Sequence, residues 1–350
     1  MFDTPHDAMQ AMQEFLEPHR VEQVVQALVP AIALRPAAEA GPGATHLGGL
    51  PDLPAGARWP RPPAPPDPEA IATRGNASAA AEMRAHLAKG LPYAFVGQID
   101  LEEARALGAA AAALPDRGRL LFFYDFAVGP WESGARTARV VWDDTPRQAL
   151  RPLRMPDDLA DAAQAEQGER EAMRREYGEP PPRGPQATNY GAPLRPMSLR
   201  AAVGVPDPAS LEIGTLPALQ AYYRGETQDA AAADFADAYD AMREDLDQAY
   251  PSDGWKRHQL LGSPLPEQDD PRYQAVIATE YGQEFLDRDT WQRERGNIME
   301  RAHGWRLLLQ VDLADWSAGA FGEGTMYFLI RSADLAARRF DRVVAVYQQT

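Results

Sequence analysis

The sequence predicts an α+β protein that is internally duplicated, with mostly antiparallel sheets, flanking helices and a short N-terminal helical extension. Two observations predict this class: strand-like apolar runs alternate with helical patterns, and one series of motifs occurs twice in the same order. The 350 residues are 45% hydrophobic and 25% charged, which is ordinary globular composition. The expected segments are an N-terminal helical extension with a linker, a first half, connecting helices with a strand, and a second half, at residues 1–45, 46–155, 156–254 and 255–350.

The first part of the chain predicts three helical regions and three strands. Residues 7–29 are typical of helix, interrupted at Pro18 because a proline inside a helix removes a hydrogen bond. Further helices are predicted at 77–89 and 101–113. Short runs rich in aromatic and β-branched residues, bounded by Gly, Pro or Asp, predict strands at 93–99, 120–124 and 138–142.

The second part of the chain has the same mixture of elements. A charged surface helix is predicted over 156–178 and a strand over 199–205. The helix predicted from about 228 to 250 carries Phe235 and Tyr239 on one face and acidic residues on the other. Three more strands are predicted, at 305–311, 326–330 and 343–347.

An internal repeat relates the two halves. The matched pairs, with their offsets in residues, are Gly49 and Gly262 (213), Gln98 and Gln310 (212), and Gly118 and Gly324 (206). Three ordered matches at a nearly constant offset indicate a duplicated unit.

Each copy has a glutamine within an apolar strand and an aspartate at the end of that strand. A buried amide left unpaired costs about 1–3 kcal/mol, so Gln98 and Gln310 need partners in backbone groups or in each other. Asp100 and Asp312 open helices, where capping is favoured over catalysis. The alternative is that all four side chains line a cleft between the halves, in an enzyme or a small-molecule binder.

Several motifs together carry a resemblance to a known family. They are Gly48-Gly49-Leu50-Pro51-Asp52-Leu53-Pro54, Trp59-Pro60, and the segments 258–264, 305–313 and 327–335. In this order and spacing the set resembles the YwqG-like family of bacterial proteins, a family of unknown function. The resemblance implies an α+β fold with a duplicated antiparallel sheet, and it assigns no catalytic residue. By gene context, relatives resemble immunity or accessory proteins of bacterial toxin systems.

The chain departs from the family pattern at two places. Ser263 and Leu265 stand where the family has an aromatic and an acidic residue. Phe321-Gly322-Glu323 stands where the family has Trp-Gly-Asp. No site is therefore expected at these positions.

Composition and motifs exclude several functional classes. The net charge is −16, from 51 acidic and 35 basic residues, which disfavours nucleic-acid binding. The sequence has no Cys, and its six His residues have no pair within four positions. Phosphate-binding loops, dinucleotide fingerprints, nucleophile elbows, a signal peptide and a membrane-length apolar run are also missing from the sequence. We therefore expect a cytoplasmic protein with no catalytic residue, cofactor, metal or membrane partner.

These observations lead to a functional hypothesis. The chain is expected to be a non-enzymatic protein-binding factor of the bacterial cytoplasm, immunity-like or antitoxin-like, whose acidic surface binds a basic partner. Loop tryptophans either fold back over the edge of a core or, where they are exposed, serve as anchors, because a large rigid ring gives contact area at low entropy cost. The candidate binding residues are Trp59, Gln98, Asp100, Trp131, Asp237, Glu244, Gln310 and Asp312.

Overall fold

The computed structural model describes residues 1–249 and 256–349. The helices in these residues are α1 (Pro5–Met12), α2 (Pro18–Gln26), α3 (Pro68–Ala72), α4 (Ala77–Lys89), α5 (Leu101–Arg105), α6 (Asp157–Tyr177), α7 (Pro217–Tyr223), α8 (Ala230–Ala249), α9 (Pro271–Val276), α10 (Arg288–Ala302), α11 (Leu313–Trp316) and α12 (Ser332–Ala336). The strands are β1 (Val29–Pro36), β2 (His46–Leu47), β3 (Asp52–Pro54), β4 (Ala94–Asp100), β5 (Arg119–Tyr124), β6 (Ala138–Asp143), β7 (Leu150–Pro152), β8 (Arg195–Gly204), β9 (Gln259–Leu260), β10 (Trp305–Asp312), β11 (Thr325–Arg331) and β12 (Val344–Gln348).

Ten of the described strands form one antiparallel sheet. Their order is β12-β11-β10-β9-β1-β8-β2-β4-β5-β6, and β3 pairs with β7 in a small separate sheet. The order is palindromic, since β2, β4, β5 and β6 of the first half correspond to β9, β10, β11 and β12 of the second. The prediction of an internally duplicated α+β fold is confirmed.

The large sheet is nearly closed into a barrel. Gly134, shortly before β6, and Ala345, in β12, exchange backbone hydrogen bonds of 3.0 and 3.3 Å. These bonds join the two outer edges of the sheet. We call this line of contact between the halves the seam.

If β1 is counted with the first half, which it precedes, and β8 with the second, the first strand of each half lies in the sheet of the other half. β1 pairs with β8 along its whole length and with β9 on its other side, whereas β8 pairs with β2. Equivalent hydrogen bonds fasten both strands: Leu34 N donates to His258 O at 3.0 Å, and Met197 N donates to Thr45 O at 3.1 Å. The two halves therefore exchange their first strands around the β1–β8 pair.

The strand β1 is not predicted from the sequence. Its eight residues include two prolines and follow directly on a helical pattern, and proline is uncommon inside strands because it cannot donate to the ladder. The predicted N-terminal extension therefore also contributes a strand at the centre of the sheet. As predicted, the helical region before it is broken at Pro18, which begins α2.

One predicted helix differs from the observed one at its C-terminal end, and the predicted end of another is not described. The helix predicted over 101–113 ends at Arg105 and is followed by a 3₁₀ turn that begins at Gly108. Gly108 has a φ of 67°, a left-handed conformation that ends a helix. The helix predicted to end at residue 250 is described to Ala249, and residue 250 lies outside the described residues, as does the predicted boundary between 254 and 255.

The two halves share one hydrophobic core. Phe122 of the first half and Phe328 of the second half have ring centroids 5.1 Å apart. Trp316 of the second half donates from Nε1 to Val96 O of the first half at 2.9 Å. A second cluster packs α1, α2, α7 and α8 together. The barrel is therefore a single packed unit, and sites for partners have to be sought on its surface.

Candidate functional site

The two repeated glutamines occupy equivalent positions and are fully buried. In each, the amide oxygen accepts from one backbone N–H, and the amide nitrogen donates to one backbone carbonyl of the same half. The partners are Asp52 N (2.9 Å) and Ala44 O (2.9 Å) for Gln98, and Leu265 N (2.9 Å) and Arg257 O (3.0 Å) for Gln310. Each amide thus connects the chain before a short strand with the chain after it, at β2 in the first half and at β9 in the second. Gln98 Nε2 also donates to Asp52 Oδ2 at 2.9 Å.

The two repeated aspartates lie at the N-caps of the helices that follow their strands. Asp100 accepts from Glu102 N at 3.1 Å, and Asp312 accepts from Asp315 N at 2.8 Å. Asp100 is also ion-paired with Arg147, and burial raises the pKa of its carboxyl group. Both carboxylates are therefore engaged within their own halves.

The other predicted residues lie in three different settings. Trp59 is buried, and its Nε1 donates to Tyr93 O at 2.7 Å. Asp237 and Glu244 lie on the exposed face of α8, opposite the face that packs on α1, α2 and α7. Trp131 is half-buried at the surface of the seam.

A groove of about 460 Å³ lies along the seam, and both halves contribute to it. Five aromatic side chains form its walls: Trp131, Tyr273, Phe285, Trp291 and Tyr347. We call this cavity the seam groove. Phe285 is 76% exposed, although large hydrophobic side chains are usually covered. Of the eight residues predicted from the sequence, Trp131 alone lines the seam groove.

The first-half side of the seam groove contains a polar network. Trp131 ends a 3₁₀ turn, and its carbonyl accepts from Arg74 Nη1 at 2.8 Å. The carboxylate of Glu284 accepts from Ser133 N at 2.6 Å and from Ser133 Oγ at 2.8 Å, and Arg74 Nη1 lies 3.8 Å from it. Burial raises the pKa of the Glu284 carboxyl group. A partly buried carboxylate is therefore held beside the aromatic walls.

The second-half side is built by α9 and α10. Tyr273 lies in α9, which continues as a π-helix over Ile277–Tyr281, a rare conformation that often occurs at functional sites. Trp291 lies in the first turn of α10, and its ring centroid is 6.3 Å from that of Tyr273. Asp270 caps α9 and is ion-paired within the fold, so Asp269 is the exposed carboxylate on this side.

The rings of the seam groove carry no cation from the described part of the chain. Elsewhere, arginines stack on aromatic rings at 4.8–5.4 Å: Arg20 on Phe235, Arg170 on Phe321, Arg331 on Trp305 and Arg338 on Trp142. Within the described residues, the lining of the seam groove also includes no Lys, Arg or His. Aromatic faces next to carboxylates attract ammonium and guanidinium groups, so the groove has the chemistry of a cation-binding site.

Most of the seam groove is not predicted from the sequence. Tyr273, Phe285 and Trp291 lie in a stretch of sequence without a recognisable motif. The one signal in this stretch is the high density of aromatic residues over 273–291. Their proximity to Trp131 depends on the closing of the sheet.

A family model described as a domain of unknown function (DUF1963) matches residues 45–348. No curated protein matches the sequence.

Among residues 1–249 and 256–349, no group of three or more His, Asp or Glu is placed to hold a metal ion. None of the described helices combines the length and the apolar composition needed to cross a bilayer.

Proposed function

Because the chain belongs to the DUF1963 family, whose function is unknown, we propose a function from the seam groove: the protein binds a basic segment of a partner protein. The observation that carries this proposal is the lining of the groove, five aromatic side chains with carboxylates and no cation among the described residues. An arginine side chain fits this lining best, because its planar guanidinium stacks on aromatic faces and pairs with carboxylates.

The charge of the whole chain supports the same partner. The net charge of −16 attracts a basic protein over a distance, and exposed carboxylates such as Asp237 and Glu244 contribute to this attraction. A non-enzymatic factor that covers a basic partner in the bacterial cytoplasm, as an immunity-like or antitoxin-like protein does, fits this description. The YwqG-like resemblance is part of the same proposal.

The alternative, a cleft around the repeated polar residues, has less support. Gln98, Asp100, Gln310 and Asp312 do not line the seam groove. Their amides and carboxylates are engaged with backbone groups of their own halves. The enzyme hypothesis therefore stays a prediction from the sequence.

Replacing Trp291 with alanine is expected to weaken binding of an arginine peptide. The probe is a short capped peptide of alternating glycine and arginine, titrated by calorimetry. Truncating a central aromatic contact costs about 2 kcal/mol, which is roughly a 30-fold loss of affinity. The matched control is Tyr177→Ala in α6, which removes a ring that is 72% exposed and lies outside the seam groove, and it should bind like the unchanged protein.

Two further measurements test the location and chemistry of binding. In NMR spectra, the indole N–H signals of Trp131 and Trp291 should shift on addition of the peptide, whereas that of the buried Trp316 should not. A peptide with citrulline in place of arginine keeps the shape but lacks the charge, and it should bind more weakly. Equal binding by the Trp291→Ala variant, or by the citrulline peptide, would contradict the proposal.

Binding of the arginine peptide is expected to weaken as the pH falls, beginning above the usual pKa of glutamate, about 4.3. Burial raises the pKa of Glu284, so its carboxylate is protonated at a higher pH than an exposed one. Once protonated, it no longer attracts the guanidinium. Dissociation constants measured over a pH series should increase toward acid pH. The Glu284→Gln variant should bind more weakly at neutral pH and respond less to pH, and an unchanged pH response in this variant would show that Glu284 is not involved.

A further inference from the structure

A second cavity lies next to the seam groove. It has a volume of about 590 Å³ and shares Ser133 with the seam groove. Four arginines line it: Arg136, Arg331, Arg339 and Arg342. We call it the arginine cavity. In a chain with 16 more acidic than basic residues, four guanidinium groups around one cavity concentrate N–H donors in one place.

The arginines of this cavity have spare donors. A guanidinium carries five N–H donors, and a single nearby carboxylate engages only some of them. Arg331 donates to Glu280 at 2.8 Å and lies over the ring of Trp305 at 4.8 Å, and Arg339 is paired with Asp334 at 2.5 Å. Arg342 is 69% exposed, and its pairing with Asp341 is long, at 3.7 Å.

Two buried donors at the same cavity lack an acceptor among the described residues. They are Nη1 of Arg136 and Nε1 of Trp305, and both residues belong to the cavity lining. A buried donor without a partner destabilises the fold, and more so when the group is charged. Because these two atoms are buried, an anion in the cavity would be held by the exposed guanidinium groups of Arg331, Arg339 and Arg342.

The number of oxygens that an anion offers indicates which anion suits the cavity. Each of the four arginines already pairs with one carboxylate, of Glu132, Glu280, Asp334 or Asp341, so a ligand has to bind through the N–H donors that these pairs leave unused. Arginine forks match the oxygen geometry of phosphate and carboxylate, and a phosphate group offers more acceptor oxygens to several guanidinium groups than a carboxylate does. We propose that the arginine cavity binds a phosphate group, either as inorganic phosphate or as the phosphoryl group of a larger ligand.

Calorimetric titration with inorganic phosphate at constant ionic strength tests this site. The unchanged protein should bind phosphate saturably, and acetate at the same concentrations should bind at least tenfold more weakly. The Arg342→Gln variant should bind phosphate about tenfold more weakly or worse, because a hydrogen bond to a charged group is worth about 1.5–3 kcal/mol. Arg339→Gln should show the same direction of change.

The matched control is Arg117→Gln. Arg117 is 69% exposed, like Arg342, and pairs with an aspartate, Asp144, that is 50% exposed, as Asp341 is. It lies outside the cavity lining, so phosphate binding should be unchanged. Equal weakening in the Arg117→Gln variant, full binding in the Arg342→Gln variant, or no saturable binding would each overturn the proposal.

A second titration separates the two sources of phosphate. A short phosphoserine peptide and its unphosphorylated form are compared with inorganic phosphate on the same protein. Tighter binding of the phosphoserine peptide assigns the cavity to a phosphorylated ligand, whereas tighter binding of inorganic phosphate assigns it to the free ion. Equal binding of the phosphorylated and unphosphorylated peptides, with no binding of inorganic phosphate, would contradict a phosphate site.

Discussion

Replacing Gln98 with leucine is expected to lower the free energy of unfolding by roughly 2–5 kcal/mol, because two buried backbone partners lose their hydrogen bonds. Leucine has nearly the volume of glutamine, but it can neither accept from Asp52 N nor donate to Ala44 O. The segments on the two sides of β2 are then no longer held to β4 by this side chain. Denaturant unfolding followed by circular dichroism measures the change.

The second half provides the matched comparison. Gln310 makes the equivalent pair of bonds, so Gln310→Leu should cost a similar amount. Gln164→Leu, at an exposed position of α6, should change stability by no more than about 0.5 kcal/mol. Losses below about 1 kcal/mol in both buried variants would show that the amides do not hold the fold and would revive the hypothesis of a polar cleft.

Replacing Trp316 with alanine is expected to lower the free energy of unfolding by about 3–5 kcal/mol. Trp316 belongs to the second half, is fully buried, and stacks on Phe126 of the first half with ring centroids 4.5 Å apart. Its removal leaves a cavity at the contact between the halves. Because both halves share one core, the unchanged protein should unfold in a single cooperative transition.

The phenylalanine variant separates packing from hydrogen bonding at this position. Trp316→Phe keeps an aromatic ring but loses the donor to Val96 O, which still accepts from Gly48 N at 2.8 Å. The decrease in the free energy of unfolding should therefore be smaller for Trp316→Phe than for Trp316→Ala. Trp142 of β6 is partly exposed and provides the comparison. If Trp316→Ala lowered the free energy of unfolding no more than Trp142→Ala does, the role of Trp316 between the halves would be contradicted.

The elements of the repeated unit could be predicted because their signals are local. The strand predicted at 93–99 is observed as Ala94–Asp100, and the helix predicted at 77–89 has the predicted bounds. An apolar run between turn residues, or a capping residue before a helical pattern, needs no information from the rest of the chain. The duplication was visible for the same reason, since it repeats local motifs.

The pairing of strands and the seam groove depend on contacts between distant parts of the chain. Nothing near Val29–Pro36 indicates that this segment pairs with β8 and β9. Trp131 could be predicted as a candidate because it is a tryptophan in a loop. Its neighbours Tyr273 and Trp291 could not, because the closing of the sheet at Gly134 and Ala345 brings them together.

The exchange of first strands has a consequence for how this architecture arises. In a single copy, the place of the donated strand would be open to the same strand of another copy, as in domain swapping. Two separate copies that exchanged this strand would form an intertwined homodimer, whose stability would depend on protein concentration. Tandem fusion of two copies makes the same assembly intramolecular, so that folding no longer requires an encounter between chains.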